Sequence, residues 1–211
     1  MFPRGPIANL VALIEEAGGI VIIARFGTNL LDGLSFRVEG LPPLFFMNSE
    51  MPGDRFRFSL AHELGHMVMH SLPDDDEKME GEAHRFAAAF LMPAAEIKPY
   101  LAPLKLSNLG RVKAYWKVSI KALIRRASDL NLITPSQYKS LSIQYNKTFK
   151  GVEPVDIGFE KANRLQHIVS HHRTALGYSL DELAALLHLR PEDADRMYGG
   201  GKSGLRLVVT N

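Results

Sequence analysis

His62-Glu63-Leu64-Gly65-His66 combines residue types and spacing suited to metal chemistry. On a helix, residues four apart share a face, with Cβ atoms about 5–6 Å from each other. That separation lets two imidazoles converge on one Zn²⁺ through Zn–N bonds of about 2.0–2.1 Å. Glu63 sits one residue further round, poorly placed to join as a ligand but able to take a proton from water activated by the metal. It can then return that proton to the leaving amine of a cleaved peptide. The chain has no cysteine, so disulfides and thiolate metal sites are excluded, and any metal must be held by His, Asp and Glu.

A catalytic zinc usually takes three protein ligands and keeps one position open. The candidates for the third are His70, Asp74, Asp75, Asp76, Glu80, Glu82 and His84. His70 lies two helical turns after His62, about 12 Å along the axis. It is expected to bond a backbone or carboxylate group near the site instead of sharing the ion. The three aspartates follow Pro73 and read as a solvated turn. Glu80 and Glu82 flank the apolar stripe of the next helix, about 75° away on one side and about 85° on the other. Periodicity leaves both open.

These residues must be positioned by a folded chain, and the composition allows one. Of 211 residues, 46% are hydrophobic and 23% charged, the ordinary mix of a globular protein rather than a disordered one. No apolar run near the start approaches membrane-spanning length, and no signal peptide leads the chain, so a cytoplasmic protein without membrane association is expected. Net charge is +2, but between Ile97 and Val152 there are eleven Lys/Arg and one acid, Asp129. A basic middle of this kind suits nucleic acid or an acidic partner, or it packs against the acidic remainder.

Apolar periodicity predicts a helix over Ile7–Ala17, then strands at Ile20–Phe26, Leu34–Val38 and Leu44–Met47, forming a small antiparallel sheet. Ser59 reads as the N-cap of the His62–His66 helix, whose apolar stripe is Leu60, Leu64, Met67 and Val68. A second helix carries Met79, Ala83, Phe86, Ala87 and Phe90 and stops at Pro93. Beyond Pro103 the pattern is helical: Leu104–Trp116, Ser119–Leu130, a helix from Thr134, a linker at Lys150–Pro154, and helices near Glu160–Arg173, Ser179–His188 and Pro191–Tyr198. Gly199-Gly200-Gly201 precedes a short strand, Leu205 to Val209. The expected class is α+β, divided into a metal-bearing core (1–103), a basic helical segment resembling a helix-turn-helix (104–152) and a helical tail (153–211).

The segment Phe56-Arg57-Phe58-Ser59-Leu60-Ala61-His62-Glu63-Leu64-Gly65-His66, followed by Glu80-Gly81-Glu82-Ala83-His84-Arg85-Phe86-Ala87 and Leu91-Met92-Pro93, resembles the ImmA/IrrE family of metallo-endopeptidases. The match is specific over Leu44–Pro93, looser to the helix after Ser119 and faint in the tail. The resemblance implies a zincin-like core, with Zn²⁺ (or another divalent ion such as Mn²⁺) held by His62, His66 and Glu80, and Glu63 as the base. The position four after Glu80, commonly small and polar or acidic in the family, is His84 here, a slot from which a side chain can orient a ligand imidazole.

Family members cut a specific helix-turn-helix repressor, switching on a mobile element or a stress response, and such a repressor is the implied partner. Many carry an N-terminal repressor-like module. None precedes Ile7, so either the chain acts in trans or a module belongs to a longer chain. Two other readings stand beside this one. The first is a DNA-binding regulator that uses the fold as a scaffold, with Lys105, Arg111, Lys113, Lys117, Lys121, Arg125 and Arg126 on a helical pair and Asp181–Arg190 as half of a second such motif. The other is a toxin–antitoxin component. The substrate is expected to lie as an extended strand against the sheet, near the strand Leu44–Met47 that leads into the His62–His66 helix.

Overall fold

The computed structural model describes residues 4–70 and 75–198. It is a helix-rich α+β fold with, among those residues, one three-stranded sheet and ten helices. The chain separates into two compact units whose segments alternate along the sequence. One unit contains the residues up to Leu10 with Met51–Glu160, and the other contains Val11–Glu50 with the chain from Lys161 onward.

In the second unit, α1 (Leu10–Glu16), which belongs to it from Val11 onward, leads to β1 (Ile20–Ala24), β2 (Gly33–Phe36) and β3 (Leu44–Asn48). The sheet is mixed, not antiparallel. The order is β1-β3-β2, with Ile20 paired to Leu44 in parallel and Phe36 to Leu44 in antiparallel register. Burial accounts for the order. Phe45 and Met47 are almost fully enclosed, so β3 takes the centre. The half-exposed β2 is left at an edge, where a short strand limits unwanted pairing. A central β3 has both sides paired, so the edges of the sheet are β1 and β2.

The buried Asn48 donates from Nδ2 to the carbonyls of Thr28 and Leu31, which fixes the loop before β2. The same unit holds α8 (Arg164–Thr174), α9 (Leu180–Leu186) and α10 (Pro191–Tyr198). The Glu15 carboxylate accepts from the N–H groups of Asn163 and Arg164, an anion meeting the positive end of α8. Pro73, Asp74, the three glycines from Gly199 and the expected strand Leu205 to Val209 lie outside the described residues.

The first unit holds α2 (Gly53–Met69), α3 (Asp76–Leu91), α4 (Ala94–Leu101), α5 (Leu106–Trp116), α6 (Ile120–Asp129) and α7 (Pro135–Phe149). Helix α2 begins well before Ser59, which is therefore an internal residue and not its cap. Pro52 occupies the N-cap position. Val68 is exposed rather than in the core stripe. Helix α4 lies in a stretch punctuated by Pro93, Pro99 and Pro103, where no helix was expected. Ser119 does cap α6, accepting from the N–H of Ala122. Thr134 and Gln137 form a capping box on α7.

Two buried cations tie this unit together. Lys113 is 3% exposed, with Nζ 2.7 Å from Asp54 and 2.9 Å from Glu153. Desolvation works to lower its pKa, but the hydrogen bonds that it donates to the two carboxylates, with their negative charge, outweigh it and the net shift is upward. Glu153 also accepts from the N–H of Ile120 and the hydroxyl of Tyr145, so the stretch after Lys150 is an anchored strap and not a slack linker. Arg57, 1% exposed, donates to the Glu160 carboxylate and to the carbonyls of Ile7 and Lys117. Burial draws its pKa down to about 10, which leaves it charged at neutral pH.

Lys113→Met is expected to lower unfolding stability by about 3–5 kcal/mol, because two enclosed carboxylates lose their shared cation. Urea denaturation measures it, and a loss below 1 kcal/mol would show that water replaces the ammonium there.

Candidate metal centre

The site is built where α2 and α3 press together. A Cβ on Gly65 would lie 3.1 Å from the Cα of Ala83 and from the Phe86 ring, so the two backbones meet with almost nothing between them. This close approach lets a carboxylate on α3 reach imidazoles on α2.

The Nε2 atoms of His62 and His66 lie 3.0 Å apart. Glu80 extends one oxygen to within 3.1 Å of each ring, Oε2 to His62 and Oε1 to His66. A tetrahedral ion with bonds of 2.0–2.1 Å spaces its ligand atoms at about 3.3–3.4 Å. Two nitrogens and a carboxylate at these separations therefore fit a zinc-sized divalent cation after small outward shifts, and among the described residues this trio forms a potential metal site. The imidazoles are about four-fifths enclosed, at 18% and 19% exposure, whereas Glu80 is 63% exposed. The site is open to solvent on the carboxylate side.

Burial lowers the pKa of His62, aided by His66 and opposed by Glu80 and Glu63. The neutral imidazole, the form that can ligate, is thereby favoured. Glu63 follows His62 on α2, and its charge acts on that ring.

Of the two glutamates left open by periodicity, Glu80 faces the histidine pair and Glu82 turns to His70, with Oε2 3.2 Å from Nε2. His70 is the C-cap of α2, with its side chain 8% exposed, and its Nδ1 lies 3.0 Å from Nδ1 of His66. Of the backbone or carboxylate partners expected for His70, the structure places Glu82 beside it. Its additional partner, His66, was missed, although the four-residue spacing of His62, His66 and His70 carried the signal.

His84 takes a different place. Its ring packs 4.9 Å from Phe58 and 6.4 Å from His62 between centroids, without a hydrogen bond to a ligand imidazole among the described residues. Burial lowers its pKa, as do the charges of His62 and Arg125. Asp75 caps α3 through the N–H of Glu77, and Asp76 occupies the first turn; neither belongs to the cluster of His62, His66 and Glu80.

The basic helical pair α5–α6 is largely committed to internal bonds. Beyond Lys113, Lys117 donates to the carbonyl of Ala8, Arg125 pairs with Asp129, and Arg126 donates to the carbonyl of Met92. Lys105, Arg111 and Lys121 are exposed. No helix among the described residues is long and apolar enough to cross a membrane.

Comparison with curated proteins gave no match. Residues 15–128, more than half of the chain and including both α2 and α3, match the family model of Peptidase M78, described as the IrrE N-terminal-like domain. The His/His/Glu geometry and this match agree, and the chain belongs to that peptidase family.

Proposed function

We propose that this chain is a zinc-dependent endopeptidase with a zincin-like core that cleaves a helix-turn-helix repressor in the cytoplasm. The observation that carries the reading is the convergence of His62, His66 and Glu80 at 3.0–3.1 Å on an open-sided site. The repressor as substrate is supported by the resemblance of the two metal-bearing helices to the ImmA/IrrE enzymes.

A divalent ion bound there supplies the positive charge that acidifies water and polarises the scissile carbonyl. His62 and His66 serve as neutral donors, their rings held by enclosure between α2 and α3. Glu80 adds one negative charge from the second helix. Glu63 accepts the proton of the attacking water on its carboxylate and passes it to the leaving nitrogen, so the amine departs neutral. The exposed side of the site receives the peptide in extended form. A folded repressor must therefore open a linker or a helix before cleavage.

The purified chain is expected to carry one zinc per molecule by elemental analysis. It should cut one of the repressors encoded beside its own gene, stop on chelation and resume with added zinc. Metal-loaded chain that cuts neither those repressors nor a library of unstructured peptides would sink the proposal.

A further inference from the structure

His70 and Glu82 are not used by the function proposed above, yet they join the metal centre through an unbroken series of hydrogen-bonding atoms. We infer that His70 is a positioning residue that fixes the ring and the proton of His66 and is itself fixed by Glu82. The inference rests on the proposed role of His66 as a metal ligand through Nε2.

The proton inventory allows one direction. A ring nitrogen that ligates a metal must present a lone pair. With Nε2 of His66 so committed, its proton sits on Nδ1. The atom 3.0 Å away is Nδ1 of His70, which must then accept. A neutral His70 that accepts at Nδ1 carries its proton on Nε2, and 3.2 Å from that atom is Oε2 of Glu82. An ionised carboxylate only accepts, so the series closes with each donor facing an acceptor. The reverse assignment fails at both ends. It would turn the His66 proton toward Glu80 and His62, and it would set the lone pair of His70 Nε2 against the Glu82 carboxylate.

Placement supports the same role. The His70 side chain is 8% exposed and that of Glu82 35%, so water competes little at the His70 ring, most of all on the side toward His66. Its position at the end of α2 lets the ring lie 5.1 Å from that of His66 between centroids. Glu82 belongs to α3, as Glu80 does, so the two helices are linked twice, once at the ligand atoms and once through His70. Hydrogen-bond partners of metal-bound histidines typically contribute about 10–100-fold to metal affinity.

The test uses the full-length chain and zinc alone. Zinc affinity is read by competition with a chromogenic chelator, and ligand geometry by the visible bands of the Co²⁺-substituted protein. His70→Phe keeps a ring but loses the acceptor, and it should weaken zinc binding about 10–100-fold and shift the Co²⁺ bands. His70→Asn, whose amide oxygen can occupy the place of Nδ1, should recover most of that loss. Glu82→Leu should weaken binding in the same direction by less.

A folded His70→Phe protein with parental affinity and unshifted bands overturns the inference, as does a folded His70→Asn protein no better than His70→Phe. If His70→Phe does not fold, Glu82→Leu decides alone, and parental affinity there counts against the relay. Failure of the underlying reading would look different. The parent chain would then bind no stoichiometric zinc, or would bind it equally well after His66→Ala.

Discussion

Glu63→Gln is expected to retain one zinc per chain and the parental melting temperature while peptide cleavage falls by about 10²–10⁴-fold or more. The amide keeps the shape and volume of the carboxylate, so α2 is undisturbed. What it loses is basicity, since an amide oxygen does not take a proton from water near neutral pH. The effect should fall on kcat and not on KM, because the proton moves only in the transition state. Steady-state cleavage of a quenched fluorescent peptide, with zinc content measured on the same samples, checks both halves. Unchanged turnover would assign the base to another group and overturn the mechanism.

The second large effect separates the two acids of α3. Glu80→Ala should lower zinc affinity by more than the 10–100-fold typical of outer-shell partners, since among the described residues it leaves two imidazoles as the protein donors. Folding should hardly change, because the Glu80 side chain is 63% exposed. Glu82→Ala should stay within the outer-shell range. Chelator competition on the two variants decides it. A Glu82→Ala protein that loses the metal while Glu80→Ala keeps it would reverse the ligand assignment.

The difference between those acids marks what could be read in the sequence. The four-residue histidine spacing projected two rings from one face of α2 without any knowledge of the fold. Helical angles then placed Glu80 and Glu82 almost symmetrically about the buried stripe, and angles alone do not encode how deeply two helices pack. That depth is set at Gly65, where the absent side chain brings Ala83 close and leaves Glu80 in reach of both rings. The start of α2 was missed for a similar reason. Pro52-Gly53 looks like a turn, but Gly53 is required because the backbone carbonyl of Ile157 occupies the space of a Cβ, a contact more than a hundred residues away in sequence. The parallel pairing of β1 with β3 is likewise non-local, and alternation within a strand does not reveal which neighbour it will have. Capping residues such as Ser119 and Thr134 acted within four residues and were legible.

The strap after Lys150 bears on where this protein can be cut. The family match ends at residue 128 and begins at residue 15, yet Lys113 and Arg57, both inside those limits, draw their charge partners from Glu153 and Glu160, both outside them. Arg57 also donates to the carbonyl of Ile7. A fragment trimmed to the family limits would therefore enclose an arginine with no acid and a lysine with only Asp54. The unit that evolution copies as a recognisable sequence is shorter than the unit that is electrically complete. A piece that contains α2 and α3 and keeps both buried cations paired must extend at least from Ile7 to Glu160.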